Sequence, residues 1–478
     1  MSTSLIGLDD VRALIAAEDP TGQLVPCELG QLVVGPNALT QLTSCVAALA
    51  PAGRRAHVVL LVDETVIHRE GSDVKAVVAA DLSNSFDLTT VVLSDGHPEL
   101  HVSEPVVQAA LDGSEGADVV VALGGGTISD IGKLVVAERP GLRIVTVMTA
   151  ASVDGYTDNV SVILRDGVKR TIPSCWPDVV LADAETVAEA PSRMNRAGYG
   201  EMTSMYVAPA DWRLAALLGI DPTYHRGPVA LLEALGPRLD ACAGGVATGE
   251  PQAVQELTWA LALRGIATGV AGTTACLSGV EHLVSHMLDV RAAQLHLPTG
   301  LHGEQVGVGS VIAAAAWELL FERLAADPSA HIHSGLLHPG AAELRVREAF
   351  EPLNPRIADE CWRDYGRKLE RVADAMPTIV TTLTNWAQVS DQLANLLRSS
   401  SSIASGLIRA GAPARLSDLD VDEETALWAV GSCALMRDRF TVVDLLTLLG
   451  WWQPADVHEV LRRAEKAVTS GLQLEGVR

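Results

Sequence analysis

Residues 117–133 constrain this chain more than any other stretch. Ala117-Asp118-Val119-Val120-Val121-Ala122-Leu123 runs straight into Gly124, Gly125 and Gly126, and Thr127-Ile128-Ser129-Asp130-Ile131-Gly132-Lys133 follows. An apolar run of strand length without alternation predicts a strand covered on both faces, as in a parallel sheet. Three glycines at its end predict a sharp turn into a helix. Glycine also lets phosphate oxygens approach the amides that open a helix, where the dipole favours negative charge, so a pyrophosphate is the natural guest. A tight turn alone would also explain the triplet. It is neither the G-x-G-x-x-G fingerprint nor a P-loop, which argues against ATP chemistry.

Similar runs recur at His57–Val62, Leu88–Leu93 and Arg143–Thr149, with helix-like stretches such as Ser103–Leu111 between them. That order predicts a doubly wound sheet. Asp63, at the end of its run, can accept hydrogen bonds from a ribose or cap a helix. Asn159–Ile172, polar in the middle, reads as a hairpin laid beside the sheet. Beyond about Pro191, Leu, Ala, Arg and Glu dominate and the β-branched runs vanish. The expected fold class is an α/β N-terminal Rossmann-like nucleotide-binding domain, residues 1–190, plus an all-helical C-terminal domain, residues 191–478. Ala325–Pro339 and Ser399–Ser402 read as loops.

With 35 Lys plus Arg against 59 Asp plus Glu, the formal charge is −24. No basic run offsets it, which argues against a nucleic acid partner, while an anionic small substrate stays compatible with a locally cationic cleft. The seven cysteines show no CxxC pair and read as reduced, buried thiols. The first residues lack an export pattern, and the apolar runs fall short of the ~20 residues a membrane helix needs. A cytoplasmic protein with no membrane partner is expected.

In Ser278-Gly279-Val280-Glu281-His282-Leu283-Val284-Ser285-His286, two imidazoles stand four residues apart on one helix face, aimed at one centre. His302, in Leu301-His302-Gly303-Glu304-Gln305, opens another helix, and Glu201 follows a double-glycine turn at Gly198 and Gly200. Two imidazoles and a carboxylate suit zinc, and nickel or iron(II) nearly as well. Three protein ligands leave positions for a substrate oxygen. Each histidine taken singly is more often a core or surface residue.

In order, GGGTISDIGK, MTAASVDGYTDNVSV, AGYGEMTSMYVAPADW, SGVEHLVSH, LHGEQVGVGS and RDRFTVVDLLTLLG resemble the successive blocks of the sn-glycerol-1-phosphate dehydrogenases, within the dehydroquinate synthase-like and iron-containing alcohol dehydrogenase superfamily. Glu360-Cys361-Trp362 and Tyr365 resemble the bacterial branch. The resemblance spans nearly the whole chain. It implies a metal-dependent NAD(P)H oxidoreductase that reduces dihydroxyacetone phosphate or a similar polyol or sugar phosphate, and a homo-oligomer, in the simplest case a homodimer. It further implies that Gly124, Gly125 and Gly126 hold the pyrophosphate, with Thr127 and Asp130 completing that part of the cofactor set. Asp63 would lie at the adenosine ribose, and Thr149 and Ser152 on the nicotinamide side. Asp154 would lie beside the substrate hydroxyls, Glu201, His282 and His302 would be the metal ligands, and His286 a neighbour or proton relay. Lys169 and Arg170 are candidates for the substrate phosphate.

Two positions depart from the family. Its Gly-Asp-x-x-x-Lys pattern is Gly200-Glu201 followed by Met205 here. Glutamate keeps metal binding, as in dehydroquinate synthases, whereas methionine removes a cation that would stand on the same helix face four residues on. An NAD-dependent sugar-phosphate cyclase or lyase with no net redox is the alternative. A non-catalytic binding relative is the other.

Overall fold

The computed structural model describes residues 7–97, 99–165, 168–298, 300–327, 331–333, 335 and 338–474. The chain folds as two compact units, Met1–Tyr199 with Arg226–Gly272, and Gly200–His225 with Thr273–Arg478.

The first unit is built on a six-stranded parallel sheet. Its strands are β1 (Gln31–Gly35), β2 (His57–Asp63), β3 (Asp87–Leu93), β4 (Val119–Gly124), β5 (Arg143–Met148) and β8 (Val179–Asp183), in the order β1-β8-β5-β4-β2-β3. Alternate residues of β2 supply both layers of core: Val58, Leu60 and Val62 face one, Val59 and Leu61 the other. Burying each such side chain is worth ~1.5–3 kcal/mol, which is why unalternating runs become central strands. The chain passes from β2 outward to β3, then returns to the opposite side of β2 as β4, so the sheet reverses between β2 and β4. Doubly wound sheets bind ligands at the carboxyl ends of the strands flanking such a reversal. Leu61 pairs with Ala122, and two residues further on stand Asp63 and Gly124.

β1 and β8 are additions to the strands read from sequence. The hairpin forms as expected, β6 (Val160–Arg165) against β7 (Val168–Pro173), as its own antiparallel pair, tied to the rest by a bridge from Leu164 to Ser103, by Val162 N donating to Asp130 at 3.1 Å and by Ile163 in the core. The helix Pro251–Ala271 belongs to this unit, and its Ala262 carbonyl accepts from Thr157 Oγ1 at 2.7 Å.

The second unit is helical. Asp211, in the helix Ala208–Leu217, accepts from Val280 N through Oδ2 (3.1 Å) and from Val442 N through Oδ1 (2.9 Å), so one buried carboxylate caps the helices Val280–Leu295 and Val442–Leu448. Burial, with Glu281 adding to it, pushes the Asp211 carboxyl well up. Ser399–Ser402 is not a loop. Ser399 is the N-cap of the helix Ser400–Arg409, accepting from Ser402 N at 3.3 Å, because serine side chains satisfy the open amides of a first turn. Of Ala325–Pro339, the described part leaves the helix His302–Ala326 and enters the helix Pro339–Phe350; residues 328–330, 334, 336 and 337 lie outside the described residues. Among the described residues no helix is long and apolar enough to cross a membrane, and none of the seven cysteines forms a disulfide.

Candidate functional site

Each unit carries one of the constellations read from sequence. In the first, Gly124 ends β4 and Gly126 opens the helix Gly126–Ala137. A Cβ on Gly124 would lie 2.7 Å from the Ile128 side chain, and one on Gly126 would lie 2.7 Å from Val153 Cγ2. Packing therefore accounts for those two glycines. Gly125 differs, having ordinary extended dihedrals (φ −77°, ψ −173°) and no chain atom within 4 Å of an added Cβ. Nothing in the protein's own packing requires Gly125 to be bare, whereas a phosphate lying on the helix amides would. Thr127 is half-buried in the first turn. Thr149 and Ser152 are buried just beyond β5, with Thr149 N donating to Gly124 O at 3.3 Å.

Asp63 is not a helix cap. It accepts from Thr65 N and Thr65 Oγ1, both at 3.2 Å, and forms an ion pair with Lys75. Asp130 is turned to the protein. It accepts from Val162 N at 3.1 Å and lies 3.3 Å from Lys133 Nζ, which also meets Asp158 at 2.5 Å. Burial works against charge on Lys133, but Asp158 and Asp130 outweigh it and its pKa is raised; burial likewise raises both acids, Asp158 to about 7. Asp154 is ion-paired with the buried Arg264. Arg170 stands on β7 opposite Ile163, and the Lys169 side chain lies outside the described residues.

In the second unit Glu201, His282 and His302 each present a ligand atom within 4.8 Å of the others. Glycine makes this convergence possible. Gly198 and Gly200 do not form a turn but lie within the helix Ser192–Met202, because the chain stays helical and glycine serves close approach instead. A Cβ on Gly200 would sit 2.2 Å from Gly303 O, and one on Gly309 would sit 2.6 Å from Glu281 O. Backbones thus meet where larger residues would hold the three ligands apart.

Both ring orientations are fixed from behind. His282 Nδ1 lies 2.9 Å from Glu281 Oε1, and the same carboxylate oxygen accepts from Gly279 N at 2.6 Å. A carboxylate only accepts, so Nδ1 carries the proton and the Nε2 lone pair faces Glu201 Oε1 at 3.3 Å. Ser285 Oγ gives its one proton to Gln305 Oε1 (2.7 Å) and accepts from His302 Nδ1 (3.0 Å), which aims His302 Nε2 at Glu201 Oε2, 3.7 Å away. Two lone pairs and a carboxylate converging on one point repel unless a cation sits among them. Burial opposes protonation of His282, yet Glu201 and Glu281 overcome it and its pKa is raised. The donor set fits a divalent ion.

His286 is set apart from the three. Its ring stacks on His302 at 5.9 Å between centroids and meets His282 edge-on at 6.3 Å. The α-helix ends at Met202, and the buried Met205 lies in the 3-10 turn Thr203–Tyr206. That turn repeats every three residues, so the expected shared helix face with Glu201 does not form.

The sequence profile described as iron-containing alcohol dehydrogenase matches residues 33–191. The chain is 31% identical to the glycerol-1-phosphate dehydrogenase [NAD(P)+] of Aeropyrum pernix over 284 residues, covering 59% of this chain and 76% of that protein. It is 25% identical to the enzyme of the same name from Bacillus licheniformis over 427 residues, 89% of this chain and 90% of that one. Its fold is similar to that of a glycerol dehydrogenase from Schizosaccharomyces pombe, with a TM-score of 0.59 at 14% identity over 94% of this chain and 91% of the other. A probable glycerol dehydrogenase from Sinorhizobium meliloti gives 0.57 at 16% identity, over 94% of this chain and all of the other.

Proposed function

The chain belongs to the glycerol-1-phosphate dehydrogenase family, within the iron-containing alcohol dehydrogenases, and we propose that it is a metal-dependent NAD(P)H oxidoreductase reducing dihydroxyacetone phosphate or a closely related phosphorylated ketone. The observation that carries this reading is the convergence of Glu201, His282 and His302 within 4.8 Å.

In this reading the unit built on the parallel sheet binds NAD(P) and the helical unit binds the metal, as expected of residues 1–190 and 191–478 except that Arg226–Gly272 joins the first. Glu201, His282 and His302 would hold one divalent ion, zinc in the first instance, which when bound polarises a carbonyl as a Lewis acid. Gly124, Gly125 and Gly126 would cradle the pyrophosphate of the nicotinamide coenzyme that supplies the hydride, with Thr127 in the first helical turn beside them, Asp130 acting from behind through Val162 and Lys133, Asp63 at the adenosine ribose, and Thr149 and Ser152 on the nicotinamide side. Glu281 holds His282, and Ser285 with Gln305 holds His302, so neither ring needs to reorient. His286, more exposed than His282, would take or give a proton at an imidazole nitrogen. Asp154, ion-paired with Arg264, would accept from a substrate hydroxyl. A homodimer is the proposed assembly.

The test is metal analysis of the purified protein, followed by an NADH and NADPH oxidation assay with dihydroxyacetone phosphate and related ketone phosphates. His282→Ala and His302→Ala should each lose most of the metal and nearly all activity. Protein that is active and metal-free, or unaffected by chelator, overturns the reading. Substrate conversion without net NAD(P)H consumption would instead point to a cyclase or lyase.

A further inference from the structure

The carboxyl end of β2 carries an ion pair whose members lie twelve residues apart. Lys75 Nζ meets the Asp63 carboxylate and also donates to the Asp63 carbonyl at 2.7 Å. The pair is well shielded, with the lysine side chain 12% exposed and the aspartate 22%. Lys75 is the second residue of the helix Val74–Ser85, and its amide donates to the N-cap carboxylate of Asp73 at 3.0 Å. A cation in the first turn opposes the helix dipole, so its ammonium needs a local anion. Glu64, the other acid at this strand end, accepts from Ser94 Oγ at 3.0 Å.

An acid at such a strand end accepts the ribose hydroxyls of NAD and repels the 2′-phosphate of NADP, whereas a neighbouring cation accommodates it. Asp63 and Lys75 combine both groups. Of the four or so acceptor sites on a carboxylate, Thr65 N, Thr65 Oγ1 and Lys75 Nζ occupy three, leaving Oδ2 one for a hydroxyl. Of the three N–H groups of the ammonium, Asp63 engages two, which leaves one for a phosphate oxygen.

We propose that Lys75 determines coenzyme choice in this protein, cancelling the charge of Asp63 so that NADP(H) is admitted alongside NAD(H). The inference rests on the crevice between β2 and β4 being the dinucleotide site. It is tested by fluorescence titration of the full-length protein with NADH and NADPH, for wild type, Lys75→Met, Lys75→Arg and Asp63→Asn. The wild type should bind both coenzymes. Lys75→Met should weaken NADPH by about tenfold or more, the loss of one charge-assisted hydrogen bond, and NADH by less than about threefold. Lys75→Arg should retain NADPH, Asp63→Asn should shift preference toward it, and added salt should weaken NADPH more in the wild type than in Lys75→Met. Equal losses for the two coenzymes, no loss for either, or a wild type that binds NADH but not NADPH overturns the role of Lys75. A wild type that binds neither overturns the dinucleotide reading itself.

Discussion

His282 Nδ1 and Glu281 Oε1 are 2.9 Å apart, so a candidate ligand is oriented by the residue immediately before it in the chain. Glu281 is fully buried, and its charge should make the imidazole a better donor. Partners of this kind typically change metal affinity by ~10–100-fold when removed. Glu281→Gln is expected to lower affinity by about that factor in a chelator competition, because the amide keeps the shape and loses the charge. Unchanged affinity would show that the carboxylate serves only to cap the helix.

The glycine turn separates packing from binding. Gly125→Val has an extended backbone and open space, so its thermal midpoint should match the wild type within about 2 °C, while NAD(P)H affinity should fall by at least about tenfold. Gly126→Val must displace Val153 and should lose stability as well, by roughly 1–3 kcal/mol. Calorimetry and coenzyme titration on both variants check this. Tight coenzyme binding by Gly125→Val would remove the pyrophosphate from this turn.

Asp158 gives a pH dependence with a definite sign. Burial, opposed by Lys133 and reinforced by Asp154, raises its pKa from 3.8 to about 7. Between those values the folded chain binds more protons than the unfolded one. The stability this group contributes is therefore full below the lower value and lost as pH rises through the upper one. Denaturant midpoints for the wild type should fall from pH 5 to pH 8, and Asp158→Asn should flatten that slope. An identical slope in the variant would assign it to other groups.

Met205 is 7% exposed and its thioether offers no strong donor. Because the 3-10 turn takes Met205 off the helix face of Glu201, Met205→Lys is expected to leave kcat/KM for dihydroxyacetone phosphate within about threefold of the wild type. Steady-state assays of both proteins decide it. A rise of about tenfold or more in the variant would show that a cation at this position does reach the substrate.

Much of the fold was legible because its signals are local. An unalternating apolar run can be buried only on both faces, and three glycines after it leave few conformations. β1 and β8 escaped notice because runs of five residues, Gln31–Gly35 and Val179–Asp183, do not stand out from core segments of other kinds. Residue type and spacing singled out His282, His286, His302 and Glu201 as candidate donors, and the resemblance implied Glu201, His282 and His302 as the ligands. Their supports were not legible. Glu281, Ser285 and Gln305 stand in the same motifs, but what they touch depends on how two helices face each other. The pairing of Lys75 with Asp63 likewise depends on where a helix begins relative to a strand end. Periodicity also marks a helix without saying which core it joins, and Pro251–Ala271 is such a case.

Asp211 joins two helix starts that are synthesised at very different times. Its first partner, Val280, follows it by 69 residues and its second, Val442, by 231. At about 5–20 residues per second of synthesis, the second arrives roughly 10–50 s after the acid itself. Until then the oxygen that accepts from Val442 lacks its partner, although the one facing Val280 already has its own. A nascent chain stopped short of residue 442 would thus carry this buried acid half-partnered, so the second unit reaches its finished hydrogen bonding only near the end of synthesis.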